Sequence, residues 1–233
     1  MSKKLPVLFL LVTVMIDSMG IGLIMPVMPN LLIELGATDL SRAAVWGGML
    51  ATIFAIMQFL FGPTIGNLSD RYGRRPVLLI SLAAMSVDYV IMGYAHAIWV
   101  LVIGRIIGGI TAATQSTANA YMADISHPDE KSQNFGLIGA AFGVGFILGP
   151  LAGGLLGTLG PRAPFFAAAG LAAANTLFGY LILTETVTDA IRRPFDWRRA
   201  NPVGSLKHIG KLPGVRRLLV VYFCNSQAPH GPT

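Results

Sequence analysis

Long apolar runs alternate with short charged gaps along this chain. From Ala43 to Ser69 there is no Asp, Glu, Lys or Arg, and Pro76 to Val87 is again free of charge. A helix that crosses a bilayer needs roughly 20 apolar residues at about 1.5 Å rise each. Six stretches meet that requirement: about Pro6–Ile33, Val45–Gly66, Pro76–Ala95, Ile98–Ala120, Phe135–Leu156 and Phe165–Thr184. The pattern predicts an all-α membrane protein, with residues 1–184 forming a six-helix transmembrane bundle. Residues 185–217 read as a basic cytoplasmic linker. Leu218–Cys224 resembles the opening of a seventh span, but an apolar run that short cannot cross a bilayer. Residues 218–233 therefore read as an incomplete seventh helix with a divergent tail.

The N-terminal Lys3-Lys4 and the run after them look like a secretory leader. The run continues past Asp17 without a small-residue cleavage site, which predicts a retained first helix. Composition agrees with a membrane protein: 54% of residues are hydrophobic and 12% charged, whereas about 25% charge is usual in soluble domains. The net charge of +6 does not point to nucleic acid, because the basic residues lie in the gaps between apolar runs. Lys3, Lys4, Arg71, Arg74, Arg75, Lys131 and the eight Lys or Arg residues from Arg192 to Arg217 fall on one side, against Arg42 and Arg162 on the other. That asymmetry places the N-terminus in the cytoplasm of a multi-pass inner-membrane protein.

Cys224 is the one cysteine, and the four histidines are scattered, so neither a disulfide nor a metal cluster is predicted. No nucleophile elbow, zinc-protease motif or phosphate-cradling loop occurs, so no enzyme and no cofactor is expected. A transport cycle without an ATP loop draws its energy from a gradient.

Some polar residues interrupt the spans. Asp17 lies near the middle of the first, in Asp17-Ser18-Met19-Gly20-Ile21-Gly22-Leu23-Ile24-Met25-Pro26, and Asp88 about as deep in the third. A carboxylate in hydrocarbon is costly unless it faces a polar cavity or is protonated, and a proton site exploits that choice. The plainer role, a packing carboxylate with one fixed hydrogen bond, ranks behind. Arg105 is the sole basic residue within a span. It stays charged and must face a carboxylate, carbonyls or water, so Asp17 and Asp88 are both candidate partners. Gln58, Gln115 and Asn119 are weaker candidates for the transport pathway, interhelical hydrogen bonding being their more ordinary use. In the fifth span Gly145, Gly149, Gly153 and Gly157 recur every four residues, with Gly154 beside them and Pro150 expected to bend the helix.

The densest charge is Gly66-Asn67-Leu68-Ser69-Asp70-Arg71-Tyr72-Gly73-Arg74-Arg75-Pro76, read as a tight turn in which Gly66 and Gly73 permit reversal. Any basic turn between helices carries such charges, but the ordered Gly, Asp, Arg and Pro positions are more specific. The stretch resembles the loop between helices 2 and 3 of the major facilitator superfamily of transporters. Gly104-Arg105 with Gly108-Gly109 and the Gly149-Pro150-x-x-Gly153-Gly154 segment follow in that family's order. The Asp17–Pro26 run and Val87-Asp88-Tyr89 narrow the resemblance to the tetracycline/proton antiporters. It extends from about Leu5 to Phe223.

The resemblance implies a proton-coupled exporter of tetracycline-like or other drugs that works by alternating access. It implies that Asp70 and Arg74 form a cytoplasmic gate, with Arg71, Arg75, Gly66 and Gly73 in the same motif. Asp17, Asp88 and Arg105 would lie on the proton and substrate pathway, and Gly145–Gly154 in a bending interface. Transporters of this type have two six-helix halves, so the chain reads as an N-terminal half, truncated or frame-shifted. Its expected partners are a small-molecule substrate, protons, the lipid bilayer and a second half or full-length transporter. The alternative is a non-transporting half-length membrane protein that associates with a full-length one.

Overall fold

A computed structural model describes residues 4–112, 114–188, 192, 194–201 and 204. The predicted seventh-span stub, Leu218–Thr233, and most of the linker after residue 204 lie outside the described residues. Within them the fold is all-helical: α1 (Lys4–Ile24), α2 (Met28–Glu34), α3 (Leu40–Tyr72), α4 (Arg74–Gly93), α5 (Ile98–Thr111), α6 (Thr114–Ile125), α7 (Lys131–Gly157), α8 (Ala163–Ile182) and a single turn, α9 (Trp197–Ala200). Among the described residues, six segments are long and apolar enough to cross a membrane, with α5 and α6 together forming one of them.

Three expectations need correction. The first apolar run is not one helix: α1 stops at Ile24 and α2 restarts at Met28. Pro26 has no N–H to donate and disfavours helical geometry at Met25, so the backbone turns there. The fourth run also breaks. Ala112 leaves helical geometry at φ −70° and ψ 49°, while the Thr111 hydroxyl donates back to the carbonyls of Ile107 and Gly108. The expected turn at Gly66–Pro76 shrinks to one residue. α3 runs through Gly66 to Tyr72, and the chain reverses at Gly73, whose φ of 112° suits glycine.

α1 packs chiefly along α7, α4 lies between α8 and α5, and α3 leans on α5. The α1–α7 contact depends on the four-residue glycine repeat. A methyl at Gly149 would lie 2.7 Å from the Gly22 Cα and from the Met19 carbonyl oxygen. Gly145 meets Ser18 and the Met15 carbonyl, Gly153 meets the Leu23 carbonyl, and Gly157 meets Val27. Gly154 faces open space. Pro150 sits inside an α7 that is a single continuous element. Two apolar clusters form the interior, one around Leu23, Leu31, Met85 and Phe165 and one around Phe9, Leu78, Tyr121 and Met122. α3 is the outlier, with little of its apolar length buried.

Candidate functional site

At mid-span the α4 carboxylate of Asp88 is fully buried, and Arg105 Nη2 from α5 lies 3.3 Å from its Oδ2. Glycines make this approach possible. A methyl at Gly104 would stand 2.7 Å from Asp88 Oδ1, and one at Gly108 2.6 Å from Oδ2. One turn of α5 thus presents bare backbone to the carboxylate. The guanidinium also lies 2.8 Å from Met92 Sδ and over the Phe54 ring, 5.2 Å from its centroid. Asp88 Oδ1 and Arg105 Nε are buried without a hydrogen-bond partner, an incomplete satisfaction that is unusual for a charged pair.

In front of the pair is a cavity of about 360 Å³. Ile21 and Ile24 line it from α1, Met25 from the turn that follows, Met28, Pro29 and Leu32 from α2, Leu50 and Phe54 from α3, and Met85 and Tyr89 from α4. Arg105 is the charged residue in its wall. An apolar chamber with one oriented charge suits a largely apolar ligand that carries a polar or anionic group.

Asp17 does not pair with Arg105, and it does not line the cavity. Tyr89 connects the two regions. Its hydroxyl packs on α1, where a methyl at Gly20 would lie 2.6 Å from the oxygen. Gln58 Nε2 donates to the Ala112 carbonyl at 3.2 Å, holding the group freed by the helix break. Gln115 Oε1 is buried without a partner, and neither Gln115 nor Asn119 lines the cavity.

A second site lies where α3 turns into α4. Arg74 forms an ion pair with Asp70, donates to Ser69 Oγ at 2.6 Å, and reaches Asp124 Oδ2 on α6 at 3.3 Å. Arg75 Nη2 donates to the Tyr180 carbonyl at 2.8 Å. Arg71 instead lies over the Tyr72 ring at the surface. Gly66 is a turn and more away from the reversal, and nothing lies within 4 Å of the place its side chain would occupy.

Residues 10–229 match the profile described as Major Facilitator Superfamily. The chain belongs to that superfamily. The match continues past Phe223, the expected limit of the resemblance. Among curated relatives, the class C tetracycline resistance protein of Escherichia coli is 45% identical over 96% of this chain and 56% of its own length. Multidrug resistance protein 2 of Bacillus subtilis is 34% identical over 80% of this chain and 46% of its own. The crystal structure of the human organic anion transporter MFSD10 (TETRAN) superposes with a TM-score of 0.76 at 27% identity, covering 91% of this chain and 57% of that one. The chain spans about half the length of the curated relatives it matches.

This superfamily member also uses residues that its sequence did not single out. Glu185, just past α8, accepts the backbone N–H of Arg74 at 2.9 Å and of Arg75 at 3.3 Å, together with those of Thr186 and Val187. Asp124 receives both Arg74 and the Thr186 hydroxyl. A faint signal existed: each is an acid close to the end of an apolar run. Thr114 and Thr117, buried with unpartnered hydroxyls after the helix break, had none beyond their three-residue spacing.

Proposed function

We propose that this chain forms one half of a proton-driven exporter of tetracycline-like or other largely apolar drugs. The observation that carries the reading is the apolar cavity whose one charge, Arg105, is paired behind its wall with the buried Asp88. The relatives' names, tetracycline resistance and multidrug resistance proteins, agree with such a cargo.

Alternating access would rock this half against a second one around the cavity. With Asp88 ionised, the Arg105 charge is held at the carboxylate. A proton on Asp88 weakens that hold and frees the guanidinium toward the cavity, where it can receive a polar group of the drug. Release of the proton on the other side restores the pair. In this reading Asp17, one turn before the Gly20 on which the Tyr89 hydroxyl packs, is the second carboxylate of the pathway. The basic-residue asymmetry supports an inner-membrane placement with the N-terminus and the Asp70–Arg74 turn in the cytoplasm. The energy source in this reading is the proton gradient, with no cofactor and no enzymatic step.

Inverted vesicles containing the chain, alone or beside a complementary second half, test the proposal. Gradient-dependent tetracycline uptake that needs the second half, and that disappears in Asp88→Asn, is expected. Uptake that survives an uncoupler, or that is unchanged in both Asp17→Asn and Asp88→Asn, rules out proton coupling through these residues.

A further inference from the structure

α4 turns two faces to different neighbours. Met85 and Tyr89 line the cavity, whereas Ala83 and Ser86 form one wall of a trough against α8. Ala173, Thr176, Leu177 and Tyr180 form the other wall, and the trough, of about 370 Å³, shares no lining residue with the cavity. The small side chains of Ala83 and Ala173 leave the space open. Both hydroxyls are spent on backbone: Ser86 Oγ donates to the Ala169 carbonyl at 2.9 Å and Thr176 Oγ1 to the Ala172 carbonyl at 2.7 Å. The trough that remains is apolar.

A cation stands at its Tyr180 end. Arg75 Nη2 donates to the Tyr180 carbonyl at 2.8 Å, and the guanidinium lies over the Tyr180 ring, 5.5 Å from its centroid. Its Nε has no hydrogen-bond partner. The other arginines of the turn are engaged, Arg74 with Asp70 and Asp124, Arg71 over Tyr72. Glu185 accepts the Arg75 backbone N–H, but among the described residues no carboxylate forms an ion pair with the Arg75 guanidinium. Arg75 lies in the first turn of α4, and Ser86 is about 17 Å farther along the helix. That is close to half of the hydrocarbon core of about 30 Å. The trough thus leads from one membrane boundary toward the midplane. We propose that it binds an anionic phospholipid of that leaflet, with one acyl chain in the trough and the phosphate on Arg75, whose planar fork suits phosphate. Ala173 and Tyr180 are about 10 Å apart along α8, so about 370 Å³ over that length is a channel roughly 6–7 Å wide. An acyl chain fits there, and a helix of about 10–12 Å does not. The inference needs the spans but not the transport reading, because a membrane protein that moves no drug could hold the same lipid.

The test uses the whole chain in nanodiscs of phosphatidylcholine with a minor share of phosphatidylglycerol, one of the two lipids carrying a diazirine midway along an acyl chain. After irradiation, mass spectrometry maps the adducts. Labelling within residues 83–86 and 173–177 should be enriched for the phosphatidylglycerol probe over the phosphatidylcholine probe by about fivefold, the effect of one basic residue at an anionic surface. Arg75→Gln should lose that enrichment. Ala173→Leu fills the trough from the end away from Arg75 and should bring the two probes level, which keeps the test decisive if Arg75→Gln does not fold. Equal labelling in the native chain, or an enrichment that either folded variant retains, overturns the proposal. So does an enrichment that inorganic phosphate abolishes at matched ionic strength, which would assign Arg75 to a free anion. Labelling that falls as the number of chains per disc rises overturns it as well, because another copy would then occupy the trough.

Discussion

The Glu185 carboxylate accepts the backbone N–H of Arg74 at 2.9 Å, so the end of the sixth span caps the first turn of α4. Gly73 makes room for it: a side chain there would collide with the Glu185 carboxylate. This cap joins the α3–α4 reversal to α8, while Arg74 joins it to α6 through Asp124. Glu185→Ala removes the acceptor from exposed N–H groups and should cost about 1 kcal/mol, the usual value of a lost helix cap. Gln keeps an oxygen and should recover part of that. Thermal unfolding in detergent, with hydrogen exchange at Arg74 and Arg75, measures both. Unchanged exchange in the Ala variant would show that the cap contributes nothing.

The Asp88–Arg105 pair should be more sensitive to breaking one partner than to removing both. Asp88→Asn leaves a guanidinium in a largely apolar wall without its counter-charge, a loss of about 3–5 kcal/mol in a buried setting. Asp88→Asn/Arg105→Gln removes both charges and should recover much of that stability without recovering any proton-driven transport. A double mutant no more stable than Asp88→Asn would mean that the two charges are not coupled.

The sequence made some of this legible and hid the rest for definable reasons. Six spans, the fifth-span glycine repeat and the mid-span charges follow from local pattern, because hydrocarbon penalises polar groups uniformly along a helix. Arg105 had two candidate partners, and only the packing of Gly104 and Gly108 on Asp88 decides between them. The break at Ala112 carries no proline or glycine. It depends on the Thr111 hydroxyl and on Gln58, which is 54 positions away in sequence. Glu185 was invisible for the same reason, since its partners Arg74 and Arg75 lie on another helix. Long-range polar partners are set by tertiary packing and leave no periodic trace.

Asp39 gives a pH dependence outside the spans. As N-cap of α3 it accepts the backbone N–H of Arg42 at 2.8 Å, and that bond holds its carboxyl below the ordinary value of 3.8. A pKa lowered in the folded state contributes stability that is present above the unfolded value and disappears as pH falls through the folded one. Hydrogen exchange at Arg42 should therefore stay slow near neutrality and accelerate only below the ordinary aspartate range. An Asp39→Asn variant should lack that acid step. A step centred at or above 3.8 would refute the cap.

Two glycines on neighbouring helices should respond in opposite ways to the same added methyl. At Gly108 it would lie 2.6 Å from Asp88 Oδ2 and 3.5 Å from Phe54 Cε2. Gly108→Ala must therefore push the carboxylate or α5 aside, a strain of about 1–3 kcal/mol. At Gly66 it meets nothing within 4 Å and sits inside α3, where alanine is favoured over glycine by about 1 kcal/mol. Gly66→Ala should leave the chain equally or more stable in thermal unfolding, while Gly108→Ala lowers the midpoint. If Gly66→Ala still abolishes transport when a second half is supplied, the bare surface at Gly66 is needed for an approach by that half. If transport persists, the gate rests on Asp70 and Arg74, and Gly66 is dispensable to it.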